Sequence, residues 1–351
     1  MQKADKKVNV SVVGATGYTG AELMRIAARH PNIRVTCAVS KSFAGKKLRD
    51  VYPNFVGDAL VLSDADAEQI AAVSDFAFLC LPHGMSMEVA PQLVQKGLKI
   101  VDLSGDFRYD DTTVYEKWYS LKHTQKQLNE AAVYGLPEFY KNDVAKANFV
   151  ANPGCYTTTS ILALAPLLKN GLISEERIII DAKSGVSGAG RKESLAFSYS
   201  ETADNFKAYS IIGHRHTSEI EEQLTKFAAG MVELQFTPHL LPVKRGILAT
   251  IYADLKDGVD AGAISRAYAD AYADAAFTHV LEPGQLPELK HVVGSNNCVI
   301  GFDISERTGR VLVVSCTDNL LKGASGQAVQ NFNIMHGLDE RTGLDSVAWY
   351  L

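Results

Sequence analysis

The stretch from Val8 to His30 constrains the fold of this chain more than any other. Val8 to Val13 is a short, mostly β-branched run of the kind that forms a buried strand. It ends in Gly14-Ala15-Thr16-Gly17-Tyr18-Thr19-Gly20, and Ala21 to His30 follows with apolar positions 23, 26 and 27 at helical spacing. Strand, glycine turn and helix form the context in which a dinucleotide fingerprint has physical meaning. Glycines let the backbone approach a pyrophosphate, which the helix N-terminus then attracts. The spacing is GxxGxxG, a variant of the usual GxGxxG. An ordinary glycine-rich turn is the competing reading, and the position directly after the first strand favours nucleotide binding.

The alternation continues downstream. A second strand, Ile33 to Val39, ends at Ser40-Lys41, where NAD-specific sites usually carry Asp or Glu for the ribose 2′-hydroxyl. A hydroxyl and a cation there suit a 2′-phosphate, hence NADP over NAD, unless Lys41 merely faces solvent. Asp75 to Leu81 reads as a strand closed by Pro82-His83-Gly84, Met85 to Gln95 as a helix, and Leu98 to Leu103 as a strand ending in Ser104-Gly105-Asp106-Phe107-Arg108. Repeated strand–helix units predict an α/β, doubly wound parallel sheet with ligands at the carboxyl ends of its strands. Pro82 to Gly84 and Ser104 to Arg108 sit at such ends. Arg108 either clamps a phosphate or carboxylate or pairs with Asp106 or Asp110. Residues 109 to 148 have weak periodicity and suggest no chemistry.

At 351 residues the chain exceeds what one core usually supports, so two domains are expected. A net charge of −5 without a basic cluster argues against nucleic-acid binding. Five scattered cysteines, at 37, 80, 155, 298 and 316, include no CxxC pair; neither a disulfide framework nor a metal site is expected, and a reducing cytoplasm fits. Met1 to Lys7 is polar and shows no signal peptide, and no apolar stretch is long enough to span a bilayer.

The chemistry centres on Asn152-Pro153-Gly154-Cys155. It lies between an apolar run, Phe149 to Ala151, and a helical pattern opening at Ile161-Leu162-Ala163-Leu164. Helix-start N–H groups and the positive dipole end favour a thiolate at Cys155. A small buried apolar residue is the competing reading. A strand, Arg177 to Ala182, then leads into a Gly- and Ser-rich loop, Lys183 to Arg191. His214-Arg215-His216 precedes Ser218-Glu219-Ile220-Glu221, which reads as a capping box. A His at a helix start is held toward the neutral form that a general base needs. Strands are expected at Glu233–Leu241, Gly246–Asp254, Cys298–Ile304 and Arg310–Ser315, the last two as an antiparallel hairpin turning at Gly309, with a helix over Ala261–Ala275 between them. This part predicts an α+β domain on a mixed sheet. A closing helix begins near Asp318-Asn319, and the small residues at 323 to 326 permit either a phosphate at its start or tight packing.

Together these residues suit one reaction. A thiolate attacks an activated acyl group, hydride from a reduced nicotinamide reduces the thioester, and His moves the protons. The chain resembles the N-acetyl-gamma-glutamyl-phosphate reductases within the wider aspartate-semialdehyde dehydrogenase group. The resemblance rests on GATGYTG at 14–20, LPHG at 81–84, DLSGDFR at 102–108, NPGCYTT at 152–158, SGVSGAGR at 184–191, HRHTSEI at 214–220 and GASGQAVQ at 323–330.

What the resemblance implies is a Rossmann-type domain, 1–151 plus 317–351, and a catalytic and dimerisation α+β domain, 152–316. It implies NADP(H), an acyl phosphate substrate from arginine biosynthesis, and a cytoplasmic homodimer or homotetramer. Cys155 matches the family's nucleophile and His214 its base, with His216, Arg108, Ser184, Arg191 and Asn152 toward the substrate. The implied cofactor set is Gly14, Thr16, Gly17, Tyr18, Thr19, Gly20, Ser40, Lys41, Pro82, Ser104, Gly185, Ser187, Asn319, Lys322, Gly323 and Gly326. One departure is Ser218, where the pattern leads one to expect Pro. An aminoadipyl- or aspartyl-phosphate enzyme is the alternative within the group, and a non-catalytic nucleotide sensor would have no use for Cys155 with HRH.

Overall fold

The structure, a computed structural model, describes residues 7–351. The signal-peptide reading of the amino-terminal residues therefore falls, but for Lys7, outside the described residues. The chain divides into two compact units. The first runs to Pro153 and resumes over Ala324–Asp345; the second comprises Gly154–Gly323 and Ser346–Leu351.

The first unit holds a six-stranded, all-parallel sheet of β1 (Val8–Val13), β2 (Ile33–Val39), β3 (Phe76–Leu79), β4 (Lys99–Asp102), β5 (Val133–Tyr134) and β6 (Phe149–Ala151). Its order is β2-β1-β3-β4-β6-β5. Every residue of β3 and β6 is buried, as expected of short apolar runs covered on both faces. Helix Gly326–Met335 belongs to this unit and supplies Phe332, whose ring meets Phe76 edge-on at 4.9 Å. Asn331 ties the helix to the Gly135 carbonyl and to Asn152, and Asn333 to the His30 ring.

The second unit is built on a mixed, seven-stranded sheet of β7 (Ile178–Gly185), β8 (Lys207–Ala208), β9 (Leu234–Leu241), β10 (Ile247–Asp254), β11 (Thr278–Val280), β12 (Cys298–Ser305) and β13 (Arg310–Thr317). Its order is β11-β12-β13-β10-β7-β9-β8. β12 and β13 form the expected hairpin, with Gly309 at φ +65°. Alternation along β10 buries Ile247, Ala249, Ile251 and Ala253 on one face, beside helix Cys155–Lys169, whose residues from Tyr156 to Leu168 are all buried.

Three details differ from the sequence expectation. The unit boundary on the return falls after Gly323, not 316, because Asp318 and Asn319 are bound to Arg245, Gly246 and Gly294 of the second unit. Residues 346–351 also belong there, through the Trp349 N–H on the Val293 carbonyl. Residues 109–148 contain helices Thr112–Tyr119, Lys126–Glu130 and Pro137–Lys146, the first two short and the third kinked at Tyr140, which weakens their periodicity.

The fingerprint turn is wedged between strands. Gly14 N–H donates to the Val39 carbonyl at 2.9 Å, while Cys80 N–H reaches the Val13 carbonyl at 2.7 Å. Gly14 has φ +89°, and a Cβ there would overlap the Cys80 carbonyl oxygen. Gly14→Ala is expected to destabilise the protein by about 2–4 kcal/mol. Urea unfolding followed by circular dichroism measures this, and an unchanged midpoint would mean the turn relaxes freely.

Candidate active site

Cys155 is the first residue of helix Cys155–Lys169. It is half-buried and in no disulfide. Gly154 is extended, at φ −68° and ψ 155°, and makes no side-chain cap, so the first-turn N–H groups and dipole act at the cysteine. The threonines behind it hold the helix start. Thr159 Oγ1 donates to the Cys155 carbonyl at 2.9 Å and meets Thr317 Oγ1 of β13 at 2.6 Å.

Helix His216–Thr225 supplies the second component. His216 is its first residue, and Glu219, three positions on, shares its face. The buried Glu219 carboxylate accepts the Gly154 N–H at 3.0 Å. A Cβ on Gly154 would lie 2.5 Å from His216 Nε2, so the imidazole occupies the space a side chain at 154 would need. A Cβ on Gly323 would come within 2.8 Å of the Cys155 Cβ. Backbone thus presses on Cys155 from one side, while an imidazole lies against the residue before it.

The capping-box expectation does not hold. The helix begins at His216 with Arg215 as its N-cap, three residues before the expected cap at Ser218. Ser218 Oγ donates back to the Arg215 carbonyl at 3.1 Å, while Glu219 and Glu221 accept from the Gly154 and Leu234 N–H groups. The hydroxyl at 218 is therefore accommodated inside the first turn.

His214, expected as the base, has an enclosed setting. His214 Nδ1 accepts the His216 N–H at 3.2 Å, and its ring is edged by Tyr156, Tyr209 and Phe236. Burial, with a smaller contribution from the Arg215 cation, pushes its pKa down to about 4. With Nδ1 accepting, a neutral ring carries its proton on Nε2. His214 is neutral as expected, but through burial rather than a helix dipole, and its acceptor nitrogen is occupied. Both rings pack on Tyr156, at 5.7 and 5.9 Å, and it is His216 that reaches the space beside Gly154.

In the first unit, Gly17 is the uncapped N-cap of helix Tyr18–Ala27, and the space at its missing Cβ meets only the Gly14 carbonyl, at 3.6 Å. Thr16 Oγ1 and Ser40 Oγ are 2.7 Å apart, and Tyr52 OH donates to the Thr16 carbonyl at 2.9 Å. Lys41, Tyr18 and Pro82 are all exposed. The Thr19 carbonyl accepts from Ser325 Oγ, one residue before Gly326. Arg108 is buried, with one guanidinium nitrogen on the Leu103 carbonyl at 2.9 Å. Ser104 Oγ donates to Asp102 at 2.6 Å and accepts the Asp106 N–H at 3.1 Å. Burial, reinforced by Asp106, raises the Asp102 pKa to about 6. Asn152 is engaged within the protein, donating to the Ala324 carbonyl and accepting from Asn331.

The remaining candidates lie in the second unit. Ser184 is buried at the end of β7, where its hydroxyl donates to the Gly185 carbonyl at 3.0 Å. Asn319 donates to Ser187 Oγ at 2.9 Å and accepts the Gly246 N–H at 2.7 Å, clamping the loop after β7 to the start of β10. Arg191 is exposed on that loop. Lys322 is fully buried in the π-helical turn Leu321–Ser325. Sequence reasoning did not single out Arg245 or the role of Asp318. The Asp318 carboxylate binds Arg245, Gly294, Leu320 and Leu321, and so fixes the segment that carries Gly323. Neither that link nor the bond from Gly154 to Glu219 has a local sequence signal.

Comparison with known proteins identifies the class. Residues 9–147 match the family described as semialdehyde dehydrogenase, NAD binding domain, and residues 155–319 match semialdehyde dehydrogenase, dimerisation domain. Aspartate semialdehyde dehydrogenase II from Vibrio cholerae shares the fold, with a TM-score of 0.71 at 18% identity over 95% of this chain and 99% of that one. The Candida albicans enzyme solved with NADP gives 0.67 at 18% identity, covering 94% and 99%. N-acetyl-gamma-glutamyl-phosphate reductase of Pelotomaculum thermopropionicum is 51% identical over 98% of this chain and 99% of its own length. The chain belongs to the N-acetyl-gamma-glutamyl-phosphate reductase family, and is an oxidoreductase.

The His214 environment gives a pH prediction. Its folded-state pKa, about 4, lies below the ordinary imidazole value of 6.5, so the unfolded chain takes up the proton first as pH falls. The stability it confers is complete above pH 6.5 and is lost between there and about 4. His214→Gln should flatten the fall in unfolding free energy across that window by about 3 kcal/mol. Urea titrations at pH 7, 5.5 and 4 measure it, and parallel profiles for both proteins would contradict it.

Proposed function

We propose that this chain reduces N-acetyl-L-glutamyl 5-phosphate to N-acetyl-L-glutamate 5-semialdehyde, with NADPH as donor and release of phosphate. The observation that carries the reading is Cys155 at an uncapped helix start, with His216 Nε2 filling the space beside Gly154. His216 accepts the thiol proton, and the thiolate attacks the acyl carbon. The carbon–oxygen bond to phosphate breaks, leaving a thioester on Cys155. NADPH, when bound, supplies the hydride that reduces the thioester carbonyl. His216 returns its proton as the tetrahedral intermediate collapses to aldehyde and thiol. His214 is a neutral positioning residue for His216.

The Gly14–Gly20 turn and the open first turn at Gly17 suit a pyrophosphate, with Thr16, Tyr18, Thr19 and Pro82 around it. The hydroxyl pair Thr16–Ser40 and exposed Lys41, with no acidic residue at the end of β2, suit a 2′-phosphate; the NADP of the Candida albicans relative supports the same choice. Gly185, Ser187, Lys322, Gly323 and Gly326 complete the cofactor candidates. Arg108, Ser184 and Arg191 are the candidates for the acyl phosphate. We take the enzyme to work as a homodimer or homotetramer through its 155–319 domain. Its five cysteines, none in a disulfide, suit the cytoplasm, and among the described residues no helix is long and apolar enough to cross a membrane.

A semialdehyde panel assayed oxidatively with phosphate and NADP should single out N-acetylglutamate semialdehyde; preference for the aspartate or aminoadipate compound would overturn the substrate. Cys155→Ser should abolish turnover and leave NADP binding intact. His216→Asn should cost at least about 10²-fold in kcat, and more than His214→Asn; the reverse order would exchange their roles. Lys41→Glu should weaken NADPH far more than NADH, whereas equal effects would place the 2′-phosphate elsewhere.

A further inference from the structure

Two loops of the nucleotide-binding unit, those leaving β3 and β4, are joined by a reciprocal pair of hydrogen bonds. The Gly84 N–H donates to both oxygens of the Asp106 carboxylate, at 2.8 and 2.9 Å. In return the Gly105 N–H donates to His83 Nδ1 at 2.9 Å. Each loop thus gives one backbone donor to the other's side chain, and the side chains are neighbours in sequence of the donors.

The clasp is backed by helix Thr112–Tyr119, from the region in which the sequence suggests no chemistry. Tyr115 OH donates to Asp106 Oδ1 at 2.9 Å. Tyr119 stacks on Tyr115 with ring centres 4.5 Å apart and meets the His83 ring edge-on at 5.0 Å. Gly105 has no room for a Cβ because Tyr119 OH stands there. His123, just beyond the helix, holds the Asp106 carbonyl at 2.8 Å. Asp106 and Tyr115 are both buried.

Burying a carboxylate is costly unless hydrogen bonds satisfy it, and an apolar filling of the same volume is often at least as stable. A charge-assisted bond does fix the separation of two loops better than packing does. One loop carries Pro82 and the other Arg108, read above as cofactor and substrate residues. We propose that His83 and Asp106, backed by Tyr115 and Tyr119, are positioning residues that hold these two loops in one geometry for the reaction. The inference rests on the functional reading of Pro82 and Arg108. Small misplacements of reacting groups are expensive in rate and cheap in binding, so the clasp should govern kcat more than cofactor affinity.

The test compares His83→Ala, Asp106→Ala, the double variant and the conservative Tyr115→Phe in the intact chain. Oxidative turnover, NADPH binding by nicotinamide fluorescence, and peptide-level hydrogen exchange at 82–86 and 103–108 are measured for each. Each alanine variant should lower kcat about tenfold, with the NADPH Kd within about threefold of the parent. The double variant should be no worse than about threefold below the weaker single, because the two bonds act as a unit. Exchange without any substrate should speed up in both peptides when either side chain is removed. Multiplying losses, or faster exchange only in the peptide that lost its partner, would overturn the clasp. If an alanine variant fails to fold, Tyr115→Phe decides, since it should also quicken exchange at 82–86. An inactive parent with coupled exchange would sink the functional reading but not the clasp.

Discussion

The start of helix Cys155–Lys169 meets helix His216–Thr225 at a residue without a side chain, and the reactive half of the protein depends on that meeting. Gly154 gives its N–H to the buried Glu219 carboxylate and its open face to the His216 ring. Any side chain at 154 would push the imidazole away. The opposite constraint comes from Gly323, whose bare Cα lets the backbone close on Cys155. That backbone is held by Asp318, whose carboxylate gathers Arg245 and the N–H groups of Gly294, Leu320 and Leu321. Trp349 covers the Arg245 guanidinium at 5.5 Å from its ring. A buried ion pair with this many additional hydrogen bonds is costly to break from either side.

The two histidines illustrate how burial divides labour between similar residues. They lie two positions apart, share one motif and have the same ordinary pKa. Aromatic rings enclose His214, desolvation keeps it neutral, and its Nδ1 accepts the backbone N–H of His216. His216, at the helix start, lies against the turn that carries the cysteine. Spacing in sequence cannot express that difference, because it arises from what surrounds each ring.

In the nucleotide-binding unit, side chains that resemble ligands prove to be partly internal fittings. Ser104 is committed to Asp102, and Asn152 to Ala324 and Asn331. The Thr16–Ser40 hydroxyl pair, by contrast, joins the fingerprint turn to the end of β2, next to exposed Lys41. Motif matching finds such residues without separating those that face a ligand from those that hold the loop presenting it. The clasp between His83 and Asp106 belongs to the second kind, and its tyrosines come from a segment too short in its helices to announce itself.

By itself the sequence determined the strand–glycine–helix opening, the parallel sheet, the mixed sheet with its β12–β13 hairpin, and Cys155 at a helix start. Each of these follows from local patterns: β-branched runs, helical spacing, and glycines where backbone must turn or approach closely. The family motifs, in their order, carried the reaction class. Only the tertiary structure decided that His216 fills the space beside Gly154, that Glu219 anchors that turn while Glu221 binds the Leu234 N–H instead of closing a capping box, and that Asp318 keeps residues 317–323 with the second unit. Those facts rest on contacts between segments tens of residues apart. A carboxylate's partner, or the burial that sets an imidazole's charge, exists only once the chain has folded.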